Sequence, residues 1–187
     1  MTIILSNAMD EDCQVLKETW ENVPGRFIEI TPYMSMSDEW QTKVEKAIRE
    51  ETDTLVLLGH GTSFGLLFPI IERGEYIIHE FNVYDIKAKN IICVWCNASS
   101  FVSQFEELHN VIASSMFISN VNEAYNYGFT EYDQNTINEI SRHCDQELVQ
   151  LLMDGVPLKE WVMRIGAHTD ILNEIDMFNR QGFYYQI

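Results

Sequence analysis

The sequence predicts an α/β fold, a three-layer sandwich in which helices cover both faces of a mostly parallel central sheet. Over residues 2–127, short apolar runs alternate with segments of helical periodicity, and two of these runs are continuously apolar, as in strands buried on both faces. From residue 135 onward the pattern is helical, so we expect extra C-terminal helices. The 187 residues fit one domain, with a core over about 1–130 and a helical segment over about 131–187.

Apolar runs bounded by turn-forming residues are predicted to be strands. In chain order they are TIILSN (2–7), RFIEI (26–30), TLVLLGHG (54–61), NIICVWCNAS (90–99) and HNVIASSMFIS (109–119). Between the third and fourth runs, residues 62–89 contain Pro69, Gly74 and a further apolar stretch. We expect a β-ribbon and a short helix in that segment.

Apolar residues that repeat at helical spacing predict the helices. Their faces are formed by Val15, Leu16 and Trp20; by Trp40, Val44, Ala47 and Ile48 behind a Ser37 cap; by Phe101, Phe105 and Leu108; and by Ile137, Ile140, Cys144, Leu148, Leu151 and Leu152. Residues 122–127 begin a further helix. Residues 158–165 form a shorter one, with Pro157 in its first turn.

The charge balance restricts the partners that this chain can bind. Asp and Glu number 29 against 12 Lys and Arg, a net charge of −17, which repels phosphate backbones and anionic headgroups. We therefore expect neither nucleic acid nor a membrane as a partner. The start of the chain has no basic region and no apolar run reaches the ~20 residues of a membrane span, so we expect a cytoplasmic protein. The four cysteines are too few and too scattered for a disulfide framework, which indicates reduced thiols.

Two reactive side chains follow the third and fourth predicted strands. His60 ends the third between Gly59 and Gly61, and Cys96 ends the fourth, 36 residues later. Ligands of open parallel sheets bind at the carboxyl ends of the strands, and neighbouring strands lie about 4.8 Å apart. If these two strands are neighbours, the imidazole and the thiol meet across one substrate, and the base activates a thiol that is mostly protonated at neutral pH.

The segments LVLLGHG and IICVWCNASS resemble the two catalytic motifs of the caspase-like (clan CD) cysteine peptidases, and the chain is most similar to bacterial metacaspase-like and CHAT-like members. In that family an apolar strand ends in His-Gly and the next ends in the nucleophilic Cys. The segment VIASSMFISNVNEAY (111–125) resembles the strand and acidic helix that follow the Cys in bacterial members. The resemblance covers residues 2–127.

The resemblance implies a peptidase with a caspase-like sheet and assigns roles to individual residues. His60 is implied to be the general base and acid and Cys96 the nucleophile, with the backbone N–H groups of Gly61 and Cys96 as the oxyanion hole. Further candidates for substrate binding are Asp10, Asp12 and Ser115. An acid at the start of the first helix lines the S1 pocket of metacaspase-like members, so a peptide or protein substrate with Arg or Lys at P1 is expected.

Other functions stay open at this point. Val94 and Trp95 replace the Gln-Ala or Asp-Ala that precedes the Cys in caspases and metacaspases, so a catalytically inactive interaction module is an alternative. A serine hydrolase is another, because residues 61–65 spell GTSFG, the pattern of a nucleophile elbow. That elbow needs a helix directly after Ser63, and Pro69 leaves little room for one.

A redox or zinc function is disfavoured for the C-x-x-C formed by Cys93 and Cys96. On a strand, residues three apart point to opposite faces, and the sequence has no second such motif. We therefore expect no metal and no cofactor. The sequence makes no prediction of the oligomeric state.

Overall fold

A six-stranded, mostly parallel sheet forms the centre of the computed structural model, which describes residues 1–36, 39–70, 73–167 and 170–187. In spatial order its strands are β2 (Arg26–Ile30), β1 (Thr2–Ser6), β3 (Thr54–Gly59), β7 (Asn90–Val94), β8 (Val111–Ser114) and β9 (Phe183–Gln186). Only β9 runs antiparallel to its neighbour within this sheet. A small antiparallel sheet contains β4 (Gly61–Thr62), β5 (Gly65–Leu67) and β6 (Tyr76–Ile78).

Helices cover both faces of the central sheet. They are α1 (Glu11–Trp20), α2 (Glu39–Glu50), α3 (Ala98–Val102), α4 (Val121–Asn126), α5 (Gln134–Met153), α6 (Leu158–Gly166) and α7 (Glu174–Gln181). Within the described residues, short 3-10 helices span Pro32–Met36 and Val83–Asp85. The α/β sandwich predicted from the sequence is therefore confirmed.

The alternation of side chains along the strands divides the core into two layers. Leu55 and Leu57 pack on one face with the apolar sides of α2 and α3. Val56 and Leu58 pack on the other face with α1, α5 and α6. The strands β1 and β3 are buried along their whole length, which explains why residues 3–5 and 55–58 are all apolar.

The structure differs from the sequence predictions in four segments. The helix expected to carry Phe101, Phe105 and Leu108 ends at Val102, and the strand expected over 109–119 is reduced to β8. Between residues 62 and 89, the expected ribbon is a three-stranded sheet and the expected helix is a 3-10 turn. Helix α7 and strand β9 have no counterpart among the elements predicted from the sequence. The Ser37 cap lies outside the described residues.

The C-terminal segment belongs to the sandwich instead of being an addition to it. Helix α5 packs against α1, and α6 contacts β8 and β9. Strand β9 adds the sixth strand by pairing Phe183 with Ser114 and Gln186 with Val111. Among the described residues, no helix is both long and apolar enough to cross a membrane.

Candidate active site

The register of β3 and β7 brings the ends of these two strands together. They are parallel neighbours, and Leu58 pairs with Val94, an offset of 36 residues along the chain. His60 and Cys96 have the same offset and follow this pair by two residues, so they occupy equivalent positions just beyond the carboxyl ends of the two strands. Gly59, at φ 136°, connects β3 to His60 where a Cβ would lie 2.5 Å from the Ser6 carbonyl oxygen.

His60 and Cys96 line one small cavity on the α1 and α5 side of the sheet. Its volume of about 30 Å³ is enough for one or two water molecules. The other polar residues of its wall are Asp12, Cys13, Ser119, Ser141 and Asp145. The structure thus brings the two sequence-predicted reactive residues to one site, and it surrounds them with acids and a second thiol.

His60 is held by the first helix. Its Nε2 lies 2.6 Å from Oδ2 of Asp10, which is the N-cap of α1 and accepts the Cys13 backbone N–H through its other oxygen. Burial by itself lowers the pKa of His60, but the hydrogen bond with Asp10 and the neighbouring Cys13 outweigh it and raise this pKa to about 11. The same hydrogen bond outweighs the burial of Asp10 and lowers its pKa to about 2. The pair is therefore an imidazolium and a carboxylate at neutral pH.

Cys96 is half-buried and carries a protonated thiol. The Sγ atom donates to the Phe117 carbonyl oxygen at 3.4 Å and lies 3.9 Å from Oε1 of Glu123 on α4. Burial, followed by the negative charge of Glu123, raises the pKa of this thiol to about 12. Deprotonation of Cys96 therefore requires a change in its surroundings.

The backbone around Cys96 forms a sharp turn from β7 into α3. Asn97 has φ 65°, in the left-handed region, and its N–H donates to the Ser115 carbonyl oxygen at 2.9 Å. The other implied oxyanion donor, Gly61, lies in β4 outside the cavity wall. A Cβ at Gly61 would overlap the Trp95 indole, so this position requires glycine.

The candidate substrate-binding residues lie in three different environments. Asp10 is engaged with His60, as described above. Asp12 lines the cavity and accepts hydrogen bonds from Ser119 Oγ at 2.8 Å and from Asn120 Nδ2 at 3.1 Å, and burial raises its pKa. Ser115 lies outside the cavity wall, where its Oγ is 2.9 Å from that of Ser99.

Sequence reasoning missed Asp145, which also belongs to this site. Its carboxyl group is 1% exposed and faces the side-chain N–H of Trp20, which is also buried. Burial raises its pKa to about 8. Together with Ser141, Asp145 interrupts the apolar face of α5 between Ile140 and Leu148. Two polar residues at core positions of a helix were the available signal.

The structure also shows where the GTSFG and C-x-x-C motifs lie. Ser63 lies in the turn between β4 and β5, so a strand follows it where a nucleophile elbow requires a helix. Cys93 packs among the residues facing α2 and α3, whereas Cys96 packs on the α1 and α5 side. The two thiols of the C-x-x-C therefore point to opposite faces of the sheet, as expected for this spacing.

Comparison with family models, with curated proteins and with solved structures finds no match to this chain.

Proposed function

We propose that this chain is a cysteine peptidase in which Cys96 is the nucleophile and His60 transfers the proton. The observation that carries the proposal is the equivalent position of the two residues beyond the paired strands β3 and β7, on one cavity. The caspase-like motifs in the sequence point to the same pair. Ser63 has no comparable support, because no helix follows it.

The chemistry assigned to the two side chains is an acyl transfer. After the Cys96 thiol has lost its proton to solvent, the thiolate attacks the scissile carbonyl carbon, and the C–N bond breaks while the His60 imidazolium gives its proton to the leaving amine. Water then hydrolyses the thioester, with the neutral His60 removing its proton. Asp10 is a positioning residue in this scheme, because its hydrogen bond orients the ring and stabilises the imidazolium.

The surroundings of Cys96 make the described conformation a resting state of the proposed enzyme. A thiol with a pKa near 12 is almost entirely protonated at neutral pH, and the His60 imidazolium on the same cavity cannot accept its proton. Substrate or a partner must therefore separate Cys96 from Glu123 before attack. The small cavity agrees with this requirement, because it cannot hold a peptide side chain without opening.

The substrate proposed for this site is a peptide or protein with Arg or Lys at P1, cleaved in the cytoplasm. The net charge of −17 favours a cationic substrate and disfavours nucleic acid. A panel of fluorogenic peptides tests the P1 preference. Faster cleavage after Asp than after Arg contradicts it, since an acidic surface repels an anion.

The mechanism is tested with Cys96→Ala and His60→Ala. Both should abolish peptide cleavage, because the two groups act as a unit. The matched controls are Cys93→Ala, on the opposite face, and Ser63→Ala; both should keep the wild-type rate. Full activity in Cys96→Ala contradicts the mechanism. Loss of activity in Ser63→Ala, with labelling by a fluorophosphonate, indicates a serine hydrolase instead.

An inactive interaction module is the second candidate, and the Glu123 contact with Cys96 favours it. A carboxylate beside the thiol opposes formation of a thiolate. A thiol-reactive peptidyl probe distinguishes the two candidates: labelling of native protein at Cys96 supports the peptidase. Absence of both labelling and turnover, in protein that co-purifies with a partner, supports the module.

A further inference from the structure

We propose that Asp10, Cys13 and His60 form a binding site for a zinc ion. One ligand atom from each of the three residues lies within 4.8 Å of the others. Two of these residues come from the start of α1 and the third from the end of β3, so the fold brings together donors that are far apart in sequence. This site is separate from the C-x-x-C motif, because it uses Cys13 and neither Cys93 nor Cys96.

The donor set is the one that zinc prefers. A thiolate, an imidazole and a carboxylate are all common zinc ligands, and a site with three protein ligands keeps a fourth position for water. Tetrahedral bonds of about 2.0 to 2.3 Å place the donors roughly 3.3 to 3.8 Å apart. The 2.6 Å between His60 Nε2 and Asp10 Oδ2 must lengthen by less than about 1 Å when zinc replaces the shared proton.

The adjoining cavity has room for the fourth ligand of a zinc ion. Cys13 and His60 both line it, and its volume of about 30 Å³ admits a water molecule. A zinc site with three protein ligands keeps its fourth position for such a water molecule.

Charge is balanced when zinc binds. The metal-free cluster holds the Asp10 carboxylate, the His60 imidazolium and the neutral Cys13 thiol, which together carry no net charge. Zinc replaces one proton of His60 and the thiol proton of Cys13, so two protons are released and the cluster with its metal is again neutral. No oxidant or reductant takes part.

Zinc bound at this site would coordinate a ring nitrogen of His60, which could then no longer transfer a proton. It would therefore inhibit the peptidase, a consequence that rests on the proposed function. Metal binding itself does not rest on that function.

The test uses the full chain freed of metal with EDTA and titrated with cobalt(II), a spectroscopic substitute for zinc. We expect one cobalt ion per chain, a near-ultraviolet charge-transfer band from the thiolate, and displacement of the cobalt by zinc. Cys13→Ser should remove the band and weaken metal binding at least about 100-fold, since even outer-shell changes cost 10- to 100-fold. The matched thiol controls, Cys93→Ala and Cys96→Ser, should keep the band.

Several results would overturn the site. These are the absence of stoichiometric cobalt binding in the wild type, binding without a thiolate band, and an unchanged band in Cys13→Ser. Circular dichroism checks that Cys13→Ser is folded, and the wild-type spectrum decides the question even if it is not. His60→Gln, as a second variant, should also weaken binding.

The effect on activity is measured as a separate arm. Zinc should inhibit peptide cleavage by the wild type and by Cys93→Ala, and should inhibit Cys13→Ser far less. Cobalt binding in a chain that cleaves no peptide supports the metal site and counts against the peptidase alone. Cleavage that zinc leaves unchanged, in a chain that binds zinc at Cys13, contradicts the inhibition.

Discussion

At the scale of single residues, the state of Cys96 depends on the acids around it. Glu123 on α4 lies 3.9 Å from the thiol, and its other oxygen accepts the Ser119 backbone N–H at 2.9 Å. This second contact fixes the carboxylate beside Cys96. Replacing the Glu123 carboxylate with an uncharged group of the same shape should therefore lower the pKa of the Cys96 thiol.

Glu123→Gln is expected to speed the alkylation of Cys96. At a given pH below the thiol pKa, the thiolate fraction rises about tenfold for each unit by which that pKa falls, and we expect an acceleration of several-fold to about tenfold. Iodoacetamide labelling followed by mass spectrometry measures the rate at Cys96. Glu106→Gln, an exposed acid, is the matched control and should leave the rate unchanged. Equal rates in both variants would contradict the role of Glu123.

The ion pair of Asp10 and His60 should make stability depend on pH in the metal-free protein. The pKa of Asp10 falls from 3.8 to about 2 on folding, so its contribution is present above pH 3.8 and is lost as the pH falls towards 2. The pKa of His60 rises from 6.5 to about 11, so its contribution is present below pH 6.5 and is lost as the pH rises towards 11. The pair is most stabilising between these two limits.

Asp10→Asn tests this pH dependence, because Asn caps a helix as well as Asp does and only the charge is removed. We expect the wild type to lose more of its free energy of unfolding between pH 6 and pH 9 than the variant loses. Urea unfolding at the two pH values measures the difference. Parallel changes in wild type and variant would show that the pair does not titrate in this way.

At the scale of elements, the four-residue strand β9 forms one edge of the central sheet. Phe183 is 5% exposed and packs in the layer that α1, α5 and α6 share, whereas its neighbour Tyr184 is 41% exposed. Successive side chains of a strand point to opposite faces, so the two residues make a matched pair. They separate the contribution of core packing from that of strand pairing.

Phe183→Ala should lower the free energy of unfolding by about 3 to 5 kcal/mol, because it removes a large side chain from a packed core. Tyr184→Ala should cost less than about 1 kcal/mol, as for most substitutions away from the core. Urea unfolding measures both changes, with one slope of the free energy of unfolding against urea concentration used for the two variants. A similar loss in the two variants would mean that Phe183 is not a core residue.

At the scale of the whole molecule, the net charge of −17 opposes the compact state through repulsion among the acids. Raising NaCl from about 0.01 to 0.1 M shortens the screening length from about 30 to about 10 Å. We therefore expect the thermal midpoint at pH 7 to rise by a few degrees. The same salt change at pH 4.5, near the isoelectric point, is the control and should have little effect. A midpoint that falls with salt at pH 7 would contradict the repulsion.

The sequence by itself determined the α/β class, the first five strands of the large sheet in chain order and the position of the reactive pair. Strands buried on both faces are apolar over most of their length, and such runs show where a chain crosses the core. His60 and Cys96 could be assigned to one sheet edge because each directly follows such a run. The register of β3 and β7 then gave the same offset of 36 residues.

The tertiary structure alone decided what surrounds that pair. Cys13 and Asp145 lie in two different helices that line one cavity, and Glu123 of a third helix contacts Cys96. No local pattern predicts that these helices come together. Strand β9 could not be predicted from local sequence either, because its four residues form a strand only by pairing with the distant β8. Local sequence fixes periodicity and turns, whereas the protonation of a thiol and the donor set beside a histidine depend on contacts between distant segments, which only packing creates.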